Sequence, residues 1–214
     1  MKPGDPADPP ASYQVHPQWL KLLEQSGDWL GLLHLGVARV HAGDLDRARL
    51  AFAQSIDRAP SAWAFRGLAA LDMASGNHDL GAENYHRALA LAPGSLPLAV
   101  EAVQALVSAD KPVQALAVID GMPTGHRASG RVQLAEARSG LAVGDLDRVG
   151  RLLADGITIA DVLEGEASLD ELWFAYHEAR VAAEDGVAID GELRARVVRD
   201  FPLPRHYDFR MASA

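Results

Sequence analysis

Apolar residues recur every three or four positions along most of the chain, a pattern typical of amphipathic helices. Two such segments flank Gly43, one beginning after Asp28 and the other after Asp44, and both aspartates are candidate N-caps. The second segment ends at Pro60, because proline cannot continue the hydrogen-bond ladder of a helix. The pattern predicts a helical hairpin with a glycine turn.

The turn recurs along the chain. The pentapeptide GDLDR begins at Gly43 and again at Gly144, 101 positions later. Shifts of 33, 34 and 34 residues carry Gly43 to Gly76, then to Asp110 and then to Gly144. The two pentapeptides are therefore predicted to be the first and fourth copies of one inter-helix turn. Glycine permits the tight bend, the aspartate after it caps the next helix, and the leucine, Leu45 in the first copy, packs inward.

Residue size follows the same repeat. Phe52 falls on Tyr85 after a shift of 33, and each is expected to fill the space against the next unit. Small residues are predicted where the two helices of each hairpin meet: Gly36, Ala69 and Ala137 in first helices, and Ala48, Gly81 and Ala115 in second helices. A single hairpin cannot bury its apolar face, so the units are expected to stack.

These positions resemble the tetratricopeptide repeat family. The first unit matches at Leu32, Leu35, Gly36, Ala48, Phe52, Ser55 and Pro60, and the second at Leu68, Ala69, Gly76, Tyr85, Ala88 and Pro93. The third unit is weaker because its second helix ends early, near Gly121, and the fourth has Val149 where a small residue is expected. The resemblance covers about two-thirds of the chain. It implies an all-α fold, a right-handed α-solenoid of stacked helix hairpins with an N-terminal helix and a C-terminal helical cap.

Three regions are predicted. Residues 1–13 form a disordered tail, since the first ten hold four prolines and one glycine. Residues 14–156 contain an N-terminal helix that starts at Pro17, followed by four hairpins. Residues 157–214 comprise an insertion, a degenerate fifth hairpin and a docked C-terminal tail. Ser168, with Glu171 three residues later, is typical of a capping box at the start of the fifth hairpin.

Charge is divided near the C-terminus. Eleven acidic residues and one basic residue lie between Asp155 and Glu192, whereas the last 22 residues hold five arginines and two aspartates. Either the C-terminal helix and tail fold back on the acidic helix, or both are separate solvated faces. Tyr207, Phe209 and Met211 alternate with charged residues, which favours a docked, extended tail.

The family resemblance implies that the first helices of the hairpins line a concave face. By register, the candidate partner-binding residues are His34, Val37, His41, Trp63, Arg66, Met73, Glu101, Gln104, Arg131 and Arg138. Leu30, Leu33, Ala70, Val100 and Leu134 share these positions. Family members that grip a C-terminal carboxylate use Lys, Asn and Arg there, and this chain has no Lys or Asn at them, so that clamp is not supported.

Two interpretations of this face remain open. The three arginines near Trp63 favour a protein or peptide partner, with an acidic peptide as one candidate. Alternatively, the N-terminal helix covers the apolar part of the groove through Trp19 and Leu23, and the arginines are solvated.

Composition excludes several classes of protein. The net charge of −9 disfavours nucleic acid as a partner. The chain has no cysteine, which removes disulfides, thiol chemistry and Cys-ligated zinc. No signal peptide and no apolar run long enough to span a membrane is found in the sequence, so a cytoplasmic protein without membrane contact is expected.

Candidate chemistry is sparse. His34 and His41 lie seven residues apart, roughly 10.5 Å along a helix, which is too far to share one metal ion. His177 lies near Trp173 and Tyr176 and is interpreted as part of a packed face, with ligand orientation or base chemistry as the alternative. No nucleotide-binding or hydrolase motif occurs. The prediction is a protein that is not an enzyme and has no cofactor or metal.

The predicted function is non-catalytic binding of a protein or peptide on the concave face, with a homo-oligomer through the C-terminal cap as a further expectation. The array and its tail PRHYDFRM are also similar to helical C-terminal segments of large actinobacterial proteins. That similarity implies an alternative, in which the chain is an accessory or C-terminal helical module of a larger enzyme, such as one acting on carbohydrate.

Overall fold

The computed structural model describes residues 5, 6, 8–159 and 168–207, and every regular element within these ranges is helical. The predicted all-α class is therefore confirmed. Short 3-10 helices lie at Pro17–Trp19 and Arg205–Tyr207. The α-helices are α1 (Leu20–Leu23), α2 (Trp29–His41), α3 (Leu45–Arg58), α4 (Ala62–Ala74), α5 (His78–Leu91), α6 (Leu96–Ser108), α7 (Pro112–Asp120), α8 (Thr124–Arg127), α9 (Gly130–Val143), α10 (Leu146–Asp155), α11 (Ser168–Asp185) and α12 (Gly191–Asp200).

Side-chain caps fix where the helices begin. Asp28 accepts a hydrogen bond from the Gly31 amide at 2.8 Å, and Asp145 accepts one from the Arg148 amide at 3.1 Å. Asp44 makes the same contact with the Arg47 amide at 3.4 Å. Each bond satisfies an amide that lacks a partner inside the helix. The three N-caps predicted from sequence are confirmed.

The recurring turn has a recurring backbone conformation. Gly43, Gly76 and Gly144 have φ values of 76°, 77° and 77°, and Asp110 has a φ of 55°. These are the four positions that the 33- and 34-residue shifts align. Within the described part of the chain, Asp110 is the one residue other than glycine that has a positive φ. The left-handed conformation is the physical reason that glycine recurs here.

The chain divides into two compact units, Met1–Ala109 and Asp110–Ala214. In the first unit, α2 packs on α3 and α4 packs on α5. The ring of Phe52 lies between two helices that carry glycine: a Cβ at Gly36 would be 2.4 Å from Phe52 Cε1, and a Cβ at Gly67 would be 2.6 Å from Phe52 Cζ. Phe52 therefore fills the space against the next hairpin, as predicted, and needs both glycines to do so.

A buried carboxylate also joins the hairpins of the first unit. Asp72 on α4 is fully buried; Arg49 Nη1 lies 2.5 Å from its Oδ1, and Asn84 Nδ2 donates to its Oδ2 at 2.8 Å. Three consecutive helices, α3, α4 and α5, thus meet at one side chain. A carboxylate without these partners would carry a large desolvation cost.

In the second unit, α7 and α10 pack on α9. Helix α7 has nine residues, which confirms the predicted early end of the third hairpin. Arg148, the last residue of the second GDLDR, donates through Nε to Glu136 at 2.6 Å and through Nη2 to Asp120 at 2.5 Å. Its counterpart in the first copy, Arg47, is exposed and pairs with Asp44.

Helices α11 and α12 form the predicted fifth hairpin, with a left-handed turn at Gly186, whose φ is 67°. Arg194 Nε lies 3.6 Å from Glu178 Oε2, and Arg196 Nη1 donates to Asp185 at 2.7 Å. The C-terminal basic helix therefore contacts the acidic one, and the interpretation as separate solvated faces is wrong. The side chain of Ser168, and with it the predicted capping box, lies outside the described part.

The tail docks at least as far as Tyr207, which is fully buried. It packs in a core cluster whose buried members are Leu134, Ala137, Val149, Leu153, Ile157, Leu169 and Leu172. Tyr207 is buried within a 3-10 helix and not in the extended conformation that was predicted, while Phe209 and Met211 lie outside the described residues. Leu45 corrects another expectation: it was predicted to pack inward and is 46% exposed, because the first turn of α3 faces solvent there.

Candidate functional site

A polar cluster in the first unit joins the first helices α4 and α6 to α5 and to the segment before the helices. Arg66 on α4 donates through Nε to Glu101 Oε2 on α6 at 2.7 Å. Tyr85 on α5 donates its hydroxyl to Glu101 Oε1 at 3.1 Å. Tyr13, which precedes all the helices, lies close enough to Arg66 for the guanidinium to act on the pKa of its hydroxyl. We call these four residues the Arg66 cluster.

The ring of Tyr13 also lies against α2. Its centroid is 5.7 Å from that of His34, with the rings at 70°, an edge-to-face arrangement. Tyr13 packs on the core cluster that contains Trp29, Leu33 and Phe52. Tyr13 was predicted to belong to a disordered tail, whereas its side chain is half-buried and packed against the helices. Residues 1–4 and 7 of that tail lie outside the described part.

Burial and charge set the protonation states of the cluster. Burial raises the pKa of Tyr13, although Arg66 opposes this effect. Burial and then the charge of Glu101 raise the pKa of Tyr85. Burial acts to lower the pKa of Arg66, but the hydrogen bond and charge of Glu101 outweigh it and raise that pKa. At neutral pH Arg66 is therefore charged and the hydroxyls of Tyr13 and Tyr85 are neutral.

His34 lies on α2 beside the Arg66 cluster, and its imidazole is neutral at neutral pH. Burial lowers its pKa, and the charge of Asp28 only partly offsets the effect. Its Nδ1 is buried and has no hydrogen-bond partner within the described residues. The indole Nε1 of Trp63 is in the same condition. Two polar nitrogens without partners among the described residues thus lie on α2 and on α4, the helix that carries Arg66.

The other predicted site residues are dispersed. Val37 and Trp63 pack against core clusters. Met73 packs beside Gly81 of α5, so its side chain contacts the second helix of its hairpin. His41 and Gln104 are exposed. Two positions assigned to the concave face by register, Leu33 and Leu134, are core residues, because the face they occupy is covered by neighbouring helices.

Arg131 and Arg138 lie on α9, in the second unit. Arg131 is half-buried and Arg138 is exposed. Among the ten predicted residues, Arg66 and Glu101 form an ion pair. Tyr13 and Tyr85 complete the cluster and were not predicted as site residues. A usable signal existed for Tyr85, since it follows Phe52 by one repeat at the position that faces the next hairpin.

A second cluster surrounds His177 in the second unit. The His177 ring is stacked on Phe201 with centroids 4.2 Å apart and planes at 13°, and it meets Trp173 edge-to-face at 4.4 Å. Arg180 lies over the Phe201 ring at 5.1 Å. His177 is 6% exposed, and neither ring nitrogen has a partner within the described residues. It is a packed residue, as the sequence interpretation favoured.

Within residues 8–159 and 168–207, no group of three histidine, aspartate or glutamate side chains is arranged to hold a metal ion. No helix in those ranges is both long enough and apolar enough to cross a bilayer. The chain matches no protein-family model, no curated protein and no solved structure. The fold defines an all-α protein, and the Arg66 cluster is its candidate binding site.

Proposed function

We propose that the protein is a non-catalytic binding protein, built from tetratricopeptide-like hairpins, that takes a protein or peptide on the surface formed by α2, α4 and α6. The observation that carries the proposal is the Arg66 cluster. It places a guanidinium on α4 and a carboxylate on α6, the first helices of successive hairpins, beside the hydroxyl of Tyr85 on α5 and that of Tyr13 from the segment before the helices. Polar groups held in fixed positions on rigid helices suit recognition of a partner backbone or side chain.

The repeat register supports the architecture in the proposal. Four left-handed residues at 33- and 34-residue intervals mark equivalent turns along the chain. Phe52 fills the space against the next hairpin, which is the role of the large residue in such arrays. A stack of hairpins offers an extended surface along its first helices, and this is the surface that such arrays use.

The charges of the cluster narrow the kind of partner. Arg66 is paired with Glu101 at 2.7 Å, so its positive charge is already compensated before any acidic peptide binds. A partner that donates to Glu101 and accepts from Arg66 fits better than one that is only acidic. His34 and Trp63 add a half-buried aromatic surface beside the cluster. The proposed ligand is an extended segment with a polar aromatic side chain.

The test is capture of partners from native lysate by the tagged protein and its variants. Arg66→Ala is expected to lose the partner, because it removes the guanidinium donor and leaves Glu101 without its ionic partner. Arg87→Ala is the matched control, since Arg87 is exposed and pairs with Glu83 on its own helix. Arg138→Ala tests α9 in the second unit. The proposal fails if wild type and Arg66→Ala capture the same proteins in the same amounts.

A further inference from the structure

The segment before the first helix lies on the proposed binding surface. Residues 8–16 have no regular secondary structure, yet they run beside α2 and bring Tyr13 to Arg66 and His34. Arg66 and His34 are two of the residues predicted for an external partner. The chain thus supplies its own aromatic, hydroxyl-bearing side chain to the site proposed for a ligand.

The contact of this segment with the helices is narrow. Described backbone hydrogen bonds of the segment and its junction with the first helix are local, from Asp8 N to Asp5 O and from Trp19 N to His16 O. Backbone pairing with α2, α4 or α6 is not seen for residues 8–16 in the described part. The Tyr13 side chain, which packs on the core cluster of α2 to α4, therefore anchors the segment without help from backbone pairing in the described part.

A groove of about 310 Å³, open to solvent, lies between the segment and α2. The segment lines one side of it and α2 the other, through Trp29, Leu30 and His34. A space of this size holds several water molecules. Dispersion contacts are missing where a gap remains, so the segment is attached less firmly than a packed core element.

We propose that residues 8–16 are an internal ligand that occupies the binding surface through Tyr13 and must be displaced by an external partner. This inference rests on the proposed function. The external partner would present a tyrosine-like side chain to Arg66 and His34 in an extended segment. Occupancy in cis weakens every competitor, because a tethered segment acts at a high effective concentration, on the order of millimolar.

The experiment uses the full chain and a fluorescein-labelled peptide with the sequence of residues 8–16, DPPASYQVH. Binding is measured by fluorescence anisotropy with wild type and with Tyr13→Ala. The variant frees the surface, so it is expected to bind the peptide at least about tenfold more tightly than wild type. A peptide carrying Ala in place of the tyrosine is expected not to bind, and Arg66→Ala in the Tyr13→Ala chain is expected to abolish binding.

Ser12→Ala is the matched control, since Ser12 is exposed and lies next to Tyr13. It should bind the peptide as weakly as wild type does. Equal binding by wild type and Tyr13→Ala overturns the inference, and so does absence of binding to Tyr13→Ala when its melting curve shows a folded chain. A concentration-dependent dimer of wild type that Tyr13→Ala abolishes also overturns it, because the segment then docks on a second copy.

Different results would contradict the internal-ligand proposal and the proposed binding function. Partner capture from lysate that is equal for wild type and Tyr13→Ala contradicts internal occupancy and leaves the proposed function standing. Peptide binding by Tyr13→Ala, together with no partner captured by either chain, contradicts the proposed function and leaves the cis contact standing.

Discussion

The hydroxyl of Tyr207 donates a hydrogen bond of 3.1 Å to the carbonyl oxygen of Leu153, and it accepts one of 3.1 Å from the amide of Ile157. Fifty residues of chain separate this tyrosine from Ile157. Both backbone groups belong to the end of α10 and the residues after it, where a helix leaves carbonyls without intrahelical partners. One side chain from the tail thus completes the hydrogen bonding of a buried helix terminus.

Tyr207→Phe is therefore expected to lower the free energy of unfolding by about 1–3 kcal/mol, because two buried backbone groups lose their partner while the ring volume is kept. Urea denaturation followed by circular dichroism measures the change. Tyr176→Phe serves as the control, since no hydrogen bond of its hydroxyl is seen among the described residues; it should stay within about 0.5 kcal/mol of wild type. A Tyr207→Phe variant that also stays within about 0.5 kcal/mol of wild type would mean that ring contacts, and not the hydroxyl, hold the tail.

Gly36→Ala is expected to destabilise the first unit by about 2 kcal/mol. The added Cβ would lie 2.4 Å from Phe52 Cε1, and the resulting overpacking outweighs the better helix propensity of alanine. Gly27→Ala is the control, because nothing lies within 4 Å of the added methyl group. Adding Phe52→Leu to Gly36→Ala should recover part of the loss. Additive effects of the two substitutions would contradict direct contact.

Asp110 permits a test of the left-handed turn. Gly76→Ala places a side chain at a φ of 77° with no neighbour within 4 Å, so the backbone alone should cost about 1 kcal/mol. Asp110→Gly relieves the same strain and is expected to be neutral or to stabilise by up to about 1 kcal/mol. Gly94→Ala, which also has open space but no positive φ, is the reference. Thermal melts of the three variants give the order of stability.

His177 predicts a dependence of stability on pH. Burial, followed by the charge of Arg180, lowers the pKa of His177 to about 4 from an ordinary value of 6.5. The folded state therefore binds fewer protons than the unfolded chain between these values, and stability is present above pH 6.5 and falls as pH drops toward 4. The expected loss from this residue is roughly 1–3 kcal/mol.

His177→Phe should remove that part of the pH dependence, because phenylalanine has no proton to bind and keeps the stacking on Phe201. The check is the free energy of unfolding measured from pH 7 to pH 4.5. His86→Ala, at an exposed position, should retain the wild-type slope. If the slope of His177→Phe matches that of wild type, carboxylates elsewhere account for the acid sensitivity.

The sequence predicted elements whose cause is local. Gly43, Asp44 and Pro60 define a turn, a cap and a helix end through their own backbone and side-chain preferences, and each was assigned correctly. The equivalence of Asp110 with three glycines was also visible, since it depends on spacing alone. Phe52 against Gly36 was predictable from the size pattern of the repeat.

Contacts between distant side chains were harder to predict. Asp72 is a single acidic residue in an apolar helix. Its partners, Arg49 and Asn84, can be identified only when the packing of α3, α4 and α5 is known. Arg66 was expected to be a solvated or ligand-binding cation, because its pairing with Glu101 depends on rotamers of both side chains. Tyr13 was assigned to a tail because proline-rich sequence carries no information on where an extended segment docks.

The trio of Phe52, Gly36 and Gly67 also constrains how this chain can have changed over generations. One ring rests against two glycines on two helices, so no single substitution at either glycine is neutral while the ring remains. A smaller residue must first replace Phe52, which leaves a cavity, before either glycine can acquire a side chain. Descendants of this sequence are therefore expected to keep all three residues or to replace them as a set, which makes the trio a marker of common descent.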